Sequence, residues 1–141
     1  MPHFIIEYSA NVGERHDIAE LVNAVHEAVL GLDLATPAAV RVRAVERVHY
    51  KVADQDDPNH GFVAMVARIG PGRADEVKHN IIETVLNAAE QWFDNAAMYF
   101  NTEGAGSDPV IPPSMLIAWS MEVQEIDAEF RQNRNHIKGS Y

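Results

Sequence analysis

The chain has 141 residues, 47% of them hydrophobic and none a cysteine, which favours one domain over residues 1–141 without disulfides or thiolate chemistry. Asp and Glu number 21 against 11 Lys and Arg, a formal net charge of −10, and no basic cluster with interleaved aromatics offsets it, so nucleic acid is excluded as a natural partner. No apolar run approaches the roughly 20 residues of a membrane span and no secretion signal precedes the first strand; no membrane partner and a cytoplasmic location are expected.

His3–Tyr8 reads as a strand that starts directly after a proline. Turn residues follow through Gly13. Then Ile18, Leu21, Val22, Val25, Ala28 and Val29 recur at three- and four-residue spacing, predicting an amphipathic helix that stops at Gly31. Beyond the loop around Pro37, "VRVRAVERVHYKV" alternates as a strand: Val40, Val42, Ala44 and Val48 share one face, Arg41, Arg43 and Arg47 the other. "DQDDPNH" is a turn or loop, and "GFVAMVARIG" is an apolar run suited to a central strand covered on both faces. "GPGR" breaks that strand and opens a second helix with Val77, Ile81, Val85, Leu86, Ala89 and Phe93 as its stripe. Asn101–Ser114, rich in Gly, Pro and Ser, is expected to be a long exposed loop; "MLIAWSMEVQEI" is a last strand, and residues 127–141 form a polar tail.

The order is strand–helix–strand twice over, in halves of about residues 2–50 and 60–126 with helices of similar length. Such halves predict an α+β domain built of βαβ-type units: a four-stranded sheet with two helices on one face. Apolar strand residues on the other face call for burial, and oligomerisation supplies it most economically.

Pro2 carries two readings. Proline lacks an N–H for the ladder and tolerates the first position of a strand, which is reason enough for it to stand there. As a free chain terminus it is instead a secondary amine near pH 8, and burial or nearby cations would lower that value and make it a general base. A methionine ahead of a small residue such as proline is commonly trimmed; while Met1 is attached, the Pro2 nitrogen is an amide and no base. Arg41 and Arg43 point the same way and suit bidentate carboxylate binding, or else an exposed face paired with the abundant acids; Arg47, beside Glu46, fits the second account better. Arg73 closes "IGPGR", whose glycines permit close approach of backbone and ligand, and is equally a helix-start residue in a tight turn. That loop lacks the GxGxxG and GxxxxGK[ST] spacings, so no nucleotide is implied. The seven histidines include no HExxH-like pair and imply no metal. Trp92, Phe93 and Trp119 read as core or subunit-contact residues.

"MPHFIIEYS", "VRVR", "GFVAMVARIGPGR" and "EVQEIDAEFRQNRNHI", in this order and spacing, resemble the 5-carboxymethyl-2-hydroxymuconate Δ-isomerase family of the tautomerase superfamily, over roughly residues 2–97 and 115–138. The resemblance implies a β-α-β-β-α-β subunit in a homotrimer, an active site at each Pro2, Pro2 as catalytic base, and Arg41 and Arg73 as substrate-binding arginines. Arg43 is a further candidate from its place beside Arg41. The implied substrate is an anionic small molecule, an unsaturated ring-cleaved tricarboxylate of bacterial homoprotocatechuate degradation, handled without metal or organic cofactor. The segment 101–114 looks longer than in typical members. A phenylpyruvate-type tautomerase, a dehalogenase of small unsaturated acids, and a non-catalytic trimeric binding protein are the alternatives the sequence leaves open.

Overall fold

Two strand–helix–strand units follow one another along the chain. The computed structural model describes residues 1–103 and 115–137. Strand β1 (His3–Ser9) leads through a short helix α1 (Ala10–Arg15) to helix α2 (Ile18–Gly31), and a one-turn helix at Pro37–Ala39 leads into β2 (Arg41–Arg47). The second unit runs from β3 (His60–Ile69) through α3 (Asp75–Glu103) to β4 (Leu116–Glu125), and a one-turn helix at Ala128–Phe130 follows. The sheet order is β2-β1-β3-β4: β1 pairs with β2 and β3 with β4 in parallel, while β1 and β3 join the units antiparallel.

Local chemistry sets the boundaries of the first unit. Asp17 caps α2, its side chain accepting from the Ala19 N–H at 2.9 Å, and Leu32 ends it as C-cap. One side of α2 then carries Leu21, Val25 and Val29, and one side of α3 carries Ile81, Val85, Ala89 and Trp92. These stripes close over Phe4 and Ile6 of β1 and Val63, Met65, Ala67 and Ile69 of β3, all buried. Each such aliphatic side chain contributes about 1.5–3 kcal/mol by leaving water.

Several expectations need correction. The turn through Gly13 is the helix α1. Strand β2 stops at Arg47 instead of running to Val52, and Val48, off the strand, is 64% exposed. The two helices differ in length, 14 residues against 29, because α3 continues to Glu103; three positions assigned to the 101–114 loop are therefore helical, and residues 104–114 lie outside those described. Within one chain β3 is covered on one face only: Gly61, Val63, Met65, Ala67 and Ile69 are buried and the intervening residues partly open. Continuous hydrophobicity therefore conceals a strand with two different faces.

Candidate active site

The N-terminal end of β1 lies between two other strands. His3 is in register with Arg41 of β2 on one side and Arg68 of β3 on the other, so cationic side chains flank it in one row across the sheet. Pro2, the residue before that row, is fully buried, and its carbonyl accepts the Arg41 N–H at 3.1 Å. This bond extends the β1–β2 pairing to the proline and makes Arg41 its structural neighbour.

The arginines are held differently. Arg41 Nη1 donates to the carbonyls of Ala38 at 2.8 Å and Val40 at 3.3 Å, which leaves its Nε and Nη2 donors for a ligand. Arg43 Nη1 meets His3 Nδ1 at 3.0 Å. Arg73 Nη2 donates to the Leu34 carbonyl at 2.6 Å and so ties the loop before α3 to the one after α2. Arg47 grips both carboxylate oxygens of Glu7, at 3.1 and 3.2 Å. Among the described residues the ion pairs use Arg47, Lys51, Lys78 and His60, and no carboxylate reaches Arg41, Arg43 or Arg73. Pro2, Arg41 and, through His3, Arg43 are thus brought together, whereas Arg73 is fixed on the Leu34 carbonyl.

A fourth arginine joins this end of the sheet from the C-terminal segment. A Cβ placed on Gly70 would stand 3.0 Å from Arg131 Nη1, so the guanidinium lies close against the bare glycine. Gly72, two residues on, has φ +101° and needs glycine for its backbone alone. The amino group at the start of the chain is pushed below its ordinary value of 8.0, first by burial and then by the charges of Arg131 and Arg41. His3 is also pushed down, by burial and then by Arg43, the chain's amino group, Arg41 and Arg68. Composition and alternation single out Arg41 and Arg43 but pass over Arg131. Only its place in "EFRQNRNHI" distinguishes it, and one sequence does not reveal that the chain doubles back there.

Pro2 buried behind a half-buried chain start, beside arginines that no carboxylate among the described residues reaches, makes a place where an anion can be held. By contrast, a cleft between α2 and α3, lined by Glu20, Glu27, Gln91, Trp92 and Asn95, contains no cation and none of these residues. Among the described residues no three His, Asp or Glu gather as a metal site, and no helix is long and apolar enough to cross a membrane.

Paired βαβ units on a four-stranded mixed sheet are the topology of the tautomerase superfamily, and the comparisons with known proteins agree. The family profile for 5-carboxymethyl-2-hydroxymuconate isomerase matches residues 2–102. The chain is 28% identical over 138 residues to the 5-carboxymethyl-2-hydroxymuconate Delta-isomerase of Escherichia coli, covering 96% of this chain and 97% of that one. The crystal structure of a 5-carboxymethyl-2-hydroxymuconate isomerase from Deinococcus radiodurans R1 matches at TM-score 0.68 and 26% identity, over 96% of this chain and 90% of the other. A second crystal structure, of a 5-carboxymethyl-2-hydroxymuconate delta-isomerase, shares the fold at TM-score 0.76 and 20% identity, over 100% and 96% of the two chains. This chain belongs to the 5-carboxymethyl-2-hydroxymuconate isomerase family. It is an enzyme of the tautomerase kind, and proton transfer is its chemistry.

Proposed function

We propose that this enzyme isomerises an unsaturated 2-hydroxy or 2-oxo polycarboxylate resembling 5-carboxymethyl-2-hydroxymuconate, as a homotrimer, with Pro2 as the general base. The observation that carries the reading is the burial of Pro2 beside Arg41, at a chain start whose amine is shifted toward its neutral form. Removal of Met1 turns the Pro2 nitrogen from an amide into a secondary amine. Burial of Pro2 and the nearness of Arg41 act on that nitrogen in the same direction as on the Met1 amine, toward the unprotonated base.

In the reaction Pro2 takes the proton of the 2-hydroxyl. The O–H electron pair forms the carbonyl, the double bonds move along the conjugated chain, and a carbon further along receives the proton from Pro2. Arg41 binds a substrate carboxylate through its Nε and Nη2 donors and draws negative charge toward the oxygens as it develops. Arg43 and Arg73 add positive field at the site's edges, each with donors left over from its bond to His3 or to Leu34. Local cations thus reconcile an acidic protein with an anionic substrate.

A Pro2→Ala variant, with Met1 removal verified by mass spectrometry, tests the assignment. Activity on 5-carboxymethyl-2-hydroxymuconate should fall by about 10²-fold or more, since a positioned base contributes on that order. In the parent, kcat/KM should rise with pH to a plateau, with its half-point below the ordinary α-amino value of about 8. Full activity in the alanine variant overturns the base assignment.

A further inference from the structure

We propose that Arg131 is a substrate-binding residue of this site, taking a second carboxylate of the substrate, and that the C-terminal segment is therefore a specificity element. The proposal rests on the reading of the Pro2 site above and extends it to a part of the chain that no strand or long helix contains.

The path of the segment carries the argument. Beyond β4 the Ile126 N–H donates to the Ile69 carbonyl at 2.8 Å, which prolongs the pairing along β3 by one residue. Asp127 then caps the single turn Ala128–Phe130, its side chain accepting from the Glu129 N–H at 3.0 Å. That turn delivers Arg131 to Gly70, just past the end of β3. Four residues later Asn135 Nδ2 donates at 2.9 Å to the Ala38 carbonyl, before the start of β2. Because β1 lies between β3 and β2, a chain running from Gly70 to Ala38 passes the N-terminal end of β1, where Pro2 is buried.

The two ends of this strap meet parts of the site. Ala38 O is also the acceptor of Arg41 Nη1 at 2.8 Å, so the anchor of the segment and the anchor of Arg41 are one atom. Arg131 is half-buried where its tail neighbours from Gln132 to Ile137 are exposed. Among the described residues it has neither an ion-pair partner nor a hydrogen bond, although acids outnumber bases 21 to 11 in the chain. Arg131 and Arg41 both lie close enough to the chain's amino group to lower its pKa, and the unused guanidinium donors of Arg131 with the free Nε and Nη2 of Arg41 are available to an anion at that point. A dicarboxylate or tricarboxylate meets this arrangement with one carboxylate on Arg41 and another on Arg131.

The experiment compares Arg131→Gln and Gly70→Ala with the parent. The first removes the charge, and the second pushes the flexible guanidinium aside with one methyl group. For each, kcat/KM is measured with 2-hydroxymuconate, a dicarboxylate, and with phenylenolpyruvate, a monocarboxylate, and adipate binding is measured by calorimetry. The ratio of the two kcat/KM values should fall about 10-fold or more in Arg131→Gln, mainly through KM for the dicarboxylate, and less far in Gly70→Ala. Adipate should bind about 10-fold more weakly to Arg131→Gln than to the parent. A substrate ratio within about twofold of the parent, or adipate affinity equal in the parent and Arg131→Gln, overturns the proposal. Adipate binding requires no proton transfer, so a failure of the Pro2 assignment and a failure of Arg131 are separable outcomes.

Discussion

His3 shows how far one side chain's state follows from its neighbours. A guanidinium only donates, so the Nδ1 that Arg43 reaches at 3.0 Å is the bare nitrogen and His3 is neutral, with its proton on Nε2. Burial, Arg43, the chain's amino group, Arg41 and Arg68 all disfavour the imidazolium. The unfolded chain takes up this proton near 6.5 and the folded one only at lower pH, so the contribution is intact above 6.5 and is lost as pH falls through the folded value. His16, pushed down by burial and Arg15, acts with the same sign. Urea midpoints at about pH 7.5 and about pH 5.5 should therefore drop on acidification, and His3→Gln should shrink the drop without abolishing it. An unaltered drop in His3→Gln would mean that the proton on His3 is not coupled to folding. At this scale alternation along a strand was enough to single out Arg41 and Arg43, because a period of two puts them on one face in any register. The grip of Arg47 on Glu7 depends on strand pairing, which no single strand encodes; the sequence pointed only to its neighbour Glu46.

Elements meet where small residues let them. Gly61, at the start of β3, lies beneath the junction of β1 and α1: an added Cβ would stand 2.9 Å from Val12 Cγ2, 3.0 Å from Ser9 Oγ and 3.1 Å from Met115 Cε. Ser9 is itself engaged, its hydroxyl donating to Asn11 Oδ1 at 2.7 Å and accepting the Phe62 N–H at 2.9 Å, and Asn11 Nδ2 reaches the His60 carbonyl at 2.7 Å. Ser9 cannot yield without losing a bond, and Val12 is packed in the core, so only the Met115 methyl is free to shift. Gly61→Ala should cost about 1–3 kcal/mol, read as a lowered urea midpoint at unchanged slope. A midpoint equal to the parent's would show that this junction is looser than its contacts imply. The strand and helix kinds were legible because hydrophobic period separates 3.6 from 2, as in Leu21, Val25 and Val29 against Val63, Met65 and Ala67. The helix α1 was not, since six residues carry too little period to stand out from a turn. The course of residues 126–137 was not legible either: Asn135 bonds to a carbonyl 97 positions away, and polar composition has no memory of such a contact.

For the molecule as a whole the open sheet face is the decisive feature. Helices α2 and α3 cover one face, and the other carries Ile5, Val45, Phe62, Ala64 and Val66, all half-buried within a single chain. One row, Arg43–Ile5–Val66–Glu122, places an apolar centre between charged edges, and in the next, Val45–Glu7–Ala64–Ser120, the one charge is Glu7, which Arg47 pairs. A sheet covered on one side with an apolar middle on the other is stable in water when a second copy closes it, and a charged rim limits the ways it can do so. For the homotrimer proposed for this enzyme, that face is the contact we propose. Val66→Lys tests it with little harm to the single chain, because Val66 is in register with Glu122 and the new ammonium gains a partner there. Sedimentation velocity should find the parent at three times the 15.7 kDa chain and the variant at one, with circular dichroism unchanged. If Val66→Lys keeps the mass of three chains, the subunits meet through another surface, and the apolar centre of the sheet needs a different occupant.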